Sequence, residues 1–175
     1  MVKDTDYWAT PDEVVTGIVR YCYNNKLVSL DEFTIDVCAS ETNTKVKDNF
    51  ITEEMDAFKT DWGKGGLAWC NPPYSRGNVG DFLERSLRQL VKFGTETIML
   101  VNGDNSTAWF DYAVRQAKAI IYVTRGRINF KDYRKNRIVK GAVKPNIFIV
   151  IGKRSTDEKV KSFYLSKNEL YELGS

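Results

Sequence analysis

The stretch Leu67-Ala68-Trp69-Cys70-Asn71-Pro72-Pro73-Tyr74-Ser75 constrains this chain more than any other. An apolar run of strand formers ends abruptly in Asn-Pro-Pro-Tyr. Two prolines lack N–H donors and have fixed φ, so a strand cannot continue past Cys70 or Asn71. The residue before a proline is also pushed to an extended conformation. The outcome is a stiff turn with Asn71 at its mouth and the ring of Tyr74 three residues on. Read blandly, it is only a strand-to-helix connection.

The chemistry that wants this turn is specific. An aromatic exocyclic amine, as on adenine, is a poor nucleophile because its lone pair is delocalised into the ring. The amide oxygen of Asn71 and the backbone carbonyl of Pro72 can accept its two N–H bonds together. That favours a tetrahedral nitrogen whose lone pair is free for an electrophile. Preset carbonyl dipoles facing developing positive charge mirror an oxyanion hole. Tyr74 can stack on the base, and Pro73 stiffens the turn. No general base is needed, which suits a chain without histidine.

Composition bounds the rest. The 175 residues, 42% hydrophobic and 28% charged, suit one soluble domain with a real core. No apolar run reaches membrane-spanning length and no secretory pattern opens the chain, so the expected location is the cytoplasm. Cys22, Cys38 and Cys70 have no paired spacing, which argues for small buried thiols and against disulfides or zinc. Charge is unevenly spread. Residues 125–144 hold eight cations (Arg125, Arg127, Lys131, Arg134, Lys135, Arg137, Lys140 and Lys144) against Asp132 alone, a local +7. The remainder of the +3 chain is therefore −4. Concentrated positive charge marks a polyanion partner.

Residues 1–7 read as a loose arm. Thr10, Pro11 and Glu13 have the spacing of a capping box, with Val14, Val15, Ile18, Val19 and Cys22 on one helical face. Residues 33–40 read as a short buried strand ending in small residues. Ligands bind beyond the carboxyl ends of such strands. Asp36 offers a carboxylate to a cationic amine there, and Ala39 and Ser40 let a ligand approach the backbone; the bland account is a Ser40/Thr42 capping turn. Residues 49–52 form a candidate second strand. Phe82, Leu83, Ser86, Leu87 and Leu90 predict a helix stopped by Gly94. Strands follow at 97–101, 119–124 and 146–151, the last taken as the final strand, with a Ser106-capped helix between the first two. The tail after residue 155 is amphipathic and uninformative. Strands alternating with helices argue for an α/β fold, a mainly parallel sheet with helices on both faces. The long segment 125–145 interleaves Phe130 and Tyr133 with cations, as nucleic-acid surfaces do, although a solvated charged hairpin has the same composition.

Asn71-Pro72-Pro73-Tyr74 resembles the catalytic motif of S-adenosylmethionine-dependent amino-group methyltransferases, above all the phage-type, Dam-like DNA N6-adenine methyltransferases. Further segments match that family in order: Trp8–Pro11, Asp36–Ser40, Asp56–Trp62 and Gly126–Phe130. The resemblance implies a Rossmann-like class I methyltransferase domain whose last strand is antiparallel. It also implies methyl transfer to N6 of an adenine flipped out of double-stranded DNA. Trp8, Thr10 and Pro11 would then lie against the methionine end of the cofactor. Asp36, Cys38, Ala39 and Ser40 occupy the cofactor motif, whose usual glycines are missing here. Glu54 stands where an acidic residue binds ribose hydroxyls, and either Asp56 or Asp61 would meet the cofactor adenine. Phe130 would face the target base. Little room is left for a separate recognition domain, so Arg76, Asn78, the arm or the basic segment would read a short target. The expected state is a monomer or weak dimer, with no metal. The same tetrapeptide also serves methyltransferases of RNA and of protein glutamine, and a non-catalytic DNA-binding module would keep the basic segment without a cofactor pocket.

Overall fold

The computed structural model describes residues 8–74, 77–132, 134–135, 137–139 and 144–175. The arm 1–7, Ser75, Arg76, Tyr133 and Lys140, singled out above, lie outside those residues.

Two sheets organise the chain. The larger has the order β2-β3-β4-β8-β5-β9. Its strands are β2 (Ile35–Asp36), β3 (Leu67–Cys70), β4 (Glu96–Asn102), β5 (Ala119–Thr124), β8 (Asn146–Ile151) and β9 (Lys161–Ser166). β2, β3 and β4 are parallel, β8 runs against both β4 and β5, and β9 is parallel to β5. The antiparallel strand is thus β8, as expected, but it lies inside the sheet and is not the last. The tail supplies β9 and then helix α4 (Lys167–Gly174).

The central strands are apolar on both sides because both sheet faces are covered. Leu67, Trp69, Ile98, Leu100, Phe148 and Val150 pack with α1 (Asp12–Asn24) and α4. Ala68, Cys70, Met99, Val101, Ile147 and Ile149 pack on the other face with α2 (Val79–Phe93) and α3 (Ala108–Gln116). The period-2 alternation of the strands sorts these residues between two cores. Gly94 closes α2 with φ 72°, the left-handed conformation a helix stop uses.

The segment read as a long loop is partly a small sheet. β1 (Trp8–Ala9), β6 (Phe130–Asp132) and β7 (Arg137–Val139) pair antiparallel in the order β1-β6-β7. The basic segment therefore carries a hairpin, and the entry to α1 is its third strand.

Local expectations were corrected in several places. Thr10 does not cap α1: Pro11 holds that position, with no side-chain cap bond. Thr107, not Ser106, caps α3, and its hydroxyl accepts from the Phe110 amide. The strand expected over 33–40 is confined to β2. The second strand expected over 49–52 is a single parallel bridge, Asp36 to Phe50, flanked by bonds from Asp36 N to Asn49 O and from Ile51 N to Asp36 O.

Candidate active site

Parallel strands point their carboxyl ends to one edge of the sheet. Asp36 ends β2, Asn71 follows β3, and Asn102 ends β4. Asn146 opens the antiparallel β8 opposite Asn102 and so lies at the same edge. Its amide oxygen accepts from the Ile128 backbone N–H at 2.9 Å, which ties the start of the basic segment to this edge.

The prolines do as the sequence requires. β3 stops at Cys70, and Tyr74 is followed by α2. Asn71 is gripped at both ends of its amide. Its Nδ2 donates to Thr10 Oγ1 at 3.2 Å, and its Oδ1 accepts from the Tyr74 hydroxyl at 3.0 Å. The Tyr74 hydroxyl is also 3.1 Å from the Leu100 carbonyl of β4. One proton thus faces two acceptors. Tyr74 is half-buried with its hydroxyl turned inward; burial, then the Cys70 and Cys38 thiols, pushes its ionisation well above the ordinary phenol range. It stays a neutral donor. Nothing in the sequence signalled that this hydroxyl, as well as the ring, addresses Asn71.

Asp36 is 2% exposed. Its two oxygens accept from the backbone N–H groups of Cys38 (3.2 Å) and Lys45 (2.8 Å). Burial outweighs those two bonds and the Lys45 charge, raising its pKa to about 6. Cys38 Sγ lies 3.8 Å from Cys70 Sγ, so the turn after β2 touches the end of β3. Burial and that neighbour raise the Cys38 thiol. Ala39 N bonds Ile51 O, and Ser40 anchors a tight turn through Asn43 and Thr44. Lys45 was not singled out in the sequence. Its ammonium bonds Asp12 of α1 at 2.6 Å, so it bridges the loop after β2 to the first turn of that helix. A lone lysine in a polar loop carries no sequence signal for this.

The acidic candidates lie further along. Glu54 is exposed. Asp56, at φ 62°, accepts from Phe58 N and pairs with Lys59 at 3.1 Å. Asp61 sits 3.6 Å from Arg85 of α2. Trp62, next to Asp61, is buried, its indole N–H on the Ala57 carbonyl and its backbone N–H on Gln89. Asn78 precedes α2 without capping it through its side chain, and its Oδ1 is buried with no partner among the described residues.

On the basic segment, Arg125, Arg127, Lys131, Arg134, Lys135 and Arg137 are all exposed. Phe130 is different. It is 3% exposed and stacks on Trp8. As the structure stands, Phe130 faces the interior, and Trp8 is its neighbour. Asp132, buried beneath the hairpin turn, accepts from the backbone N–H groups of Arg134 and Lys135 and lies 3.7 Å from the Arg134 guanidinium.

The sequence model of the DNA N-6-adenine-methyltransferase (Dam) family matches residues 1–175. The chain belongs to the Dam family. A relative named DNA N-6-adenine-methyltransferase, from Haemophilus phage HP1, is 39% identical over 172 residues, covering 98% of this chain and 93% of its own length. A second of the same name, from Escherichia phage T1, is 30% identical over 175 residues and is covered over 68% of its length. The Dam match takes in the strand-Asn-Pro-Pro-Tyr turn, the Asp36 loop and the basic hairpin alike.

Proposed function

We propose that this chain is a DNA N6-adenine methyltransferase that uses S-adenosylmethionine, with its active site at the edge defined by Asp36 and Asn71. The observation that carries the reading is the Asn71 amide, fixed just past the end of β3, whose parallel neighbour β2 ends in the buried Asp36 carboxylate. Family membership supports the activity. The strand order, with one antiparallel strand inside an otherwise parallel sheet, supports a Rossmann-like class I methyltransferase fold.

The donor set fits the cofactor. A buried carboxylate held near pH 6 by desolvation gains from a cationic amine placed against it. The small side chains of Ala39 and Ser40 would let a ligand approach the backbone there. When bound, S-adenosylmethionine supplies an electrophilic methyl group on a sulfonium. Glu54 and one of Asp56 and Asp61 are the carboxylates offered to its ribose and adenine.

The remaining steps belong to this chain's own groups. The target adenine leaves the helical stack, since its amine is inaccessible to chemistry inside a duplex. The Pro72 carbonyl and Asn71 Oδ1 accept its two N–H bonds and stabilise the positive charge that builds on nitrogen, which is discharged when one of those protons passes to solvent. Asn71 Oδ1 has two lone pairs, and the Tyr74 hydroxyl occupies one of them. Its proton can turn fully to Leu100 as the amine arrives, so neither group loses its partner. The exposed cations of the β6–β7 hairpin meet DNA phosphates.

The test is incubation with isotopically labelled S-adenosylmethionine and DNA of mixed sequence, followed by nucleoside analysis. Labelled N6-methyladenine in DNA is the expected product. Label appearing in RNA or protein glutamine instead, or in nothing, overturns the reading.

A further inference from the structure

We infer that Thr10 is a positioning residue for Asn71: its hydroxyl holds the plane of the Asn71 amide, and the turnover step depends on it. The inference rests on the proposed role of Asn71 and adds a residue that acts through it.

Three observations carry it. The residue is 2% exposed, so its hydroxyl is shielded from bulk water. It is not spent on the helix either: α1 has no side-chain cap, and the amides of Val14 and Val15 bond the Pro11 carbonyl instead. What the hydroxyl does bond is Asn71 Nδ2, at 3.2 Å across 61 residues of sequence.

An asparagine amide turns about a broad, roughly two-fold terminal torsion. A grip at one end alone leaves that torsion soft. Tyr74 holds the Oδ1 end, but its proton is shared with the Leu100 carbonyl and is the bond to be given up when a substrate amine arrives. Thr10 holds the end that keeps its partner throughout. Thr10 is itself fixed from both sides. Ala9 before it pairs with Lys131 of β6, and Pro11 after it opens α1. The anchor for the amide is thus built into the junction of the small sheet and the helix. Loss of the hydroxyl leaves Nδ2 without its acceptor and the amide free to rotate away from the accepting geometry. Misplacing a reacting group by about 1 Å can cost roughly 100-fold in rate.

The experiment compares Thr10→Val, Thr10→Ala and Thr10→Ser in the full chain, reading kcat, KM for DNA and cofactor affinity by calorimetry. Thermal melting confirms which variants fold. Thr10→Val and Thr10→Ala should lose about 10- to 100-fold in kcat with cofactor affinity within about twofold of wild type. Thr10→Ser restores most of kcat. In an Asn71→Ala background, Thr10→Val should cost nothing further, because the group it positions is gone. Undiminished kcat in a folded variant lacking the hydroxyl overturns the inference. So does weakened cofactor binding with kcat intact at saturation, which would make Thr10 a cofactor contact. An added loss in the double variant overturns it too. Near-normal activity of Asn71→Ala alone is a different result: it removes the proposed catalytic site itself.

Discussion

Trp8 stacks on Phe130 with ring centroids 6.1 Å apart and planes 29° from parallel. The pair joins two segments more than a hundred residues apart in sequence. Trp8 lies on β1, two residues before the threonine that holds Asn71, and Phe130 opens the strand of the basic hairpin. Their strands also pair directly, Trp8 opposite Asp132 and Ala9 opposite Lys131. Whatever presses on the hairpin therefore presses on the anchor of the Asn71 amide. Trp8→Ala removes the stack and its buried area, a loss of about 2 kcal/mol in unfolding free energy. The same variant should bind DNA more weakly. Urea denaturation and a DNA titration check both; unchanged DNA binding would show that the hairpin stands without Trp8.

On the proposed role of Asn71, Asn71→Ala removes an acceptor whose bond strengthens as charge develops on the substrate nitrogen. Loss of one such preorganised group costs on the order of 100- to 1000-fold in kcat, with little change in cofactor affinity. Single-turnover methylation and calorimetry on the same preparation separate the two. A variant that methylates at the normal rate would place the catalytic acceptor elsewhere.

Asp36 gives the site a pH dependence. With its pKa raised to about 6, the ligand-free fold keeps a proton on this carboxyl that the unfolded chain has already released. Raising pH from about 4 to about 6 strips that proton and leaves a buried charge, so this residue's contribution to stability falls across that window. A cationic ligand needs the carboxylate. Cofactor affinity should therefore climb as pH rises to about 6 and then level off, and Asp36→Asn should be weak and flat. Affinity that ignores pH from 5 to 7 in the wild type would detach Asp36 from the cofactor.

Much of this was legible because apolar pattern and proline chemistry act locally. β3, α2 with its Gly94 stop, β5 and β8 fall where the sequence put them. The misses share a cause: groups that satisfy local needs in the sequence found distant partners in the fold. Thr10 has the spacing of a cap yet bonds Asn71. Cys38 and Cys70 meet only because the turn after β2 reaches the end of its neighbour β3. The tail hid β9 and α4, although Ser166 and Glu169 form a capping box whose spacing was readable. Gly17 gave no signal either. A Cβ there would lie 2.0 Å from the Leu170 backbone oxygen, so α1 and α4 touch through this glycine. Gly17→Ala gains helix propensity but must push α4 away, for a net loss of about 1–3 kcal/mol. A rise in melting temperature instead would mean α4 docks more loosely than its contacts suggest.

The basic hairpin should show itself in salt dependence. Each phosphate neutralised releases counterions, so log affinity falls with log salt by about 0.9 per contact. Lys131, Lys135 and Arg137 are exposed on or beside its strands, whereas Arg134 is drawn toward the buried Asp132. Replacing Lys131, Lys135 and Arg137 with alanine should flatten the slope by up to about 2.7 if all three meet phosphates. Sequence preference should persist if they only place the duplex, and relax if one of them reads a guanine edge. Cofactor affinity should hold, since the groups that bond the Asp36 carboxylate and the Ala39 N–H are on Cys38, Lys45 and Ile51, none of them on the hairpin. An unaltered salt slope with DNA still bound would leave the hairpin a solvated surface. DNA would then have to approach over Asn78, at the entry to α2, where a buried amide oxygen stands without a partner among the described residues.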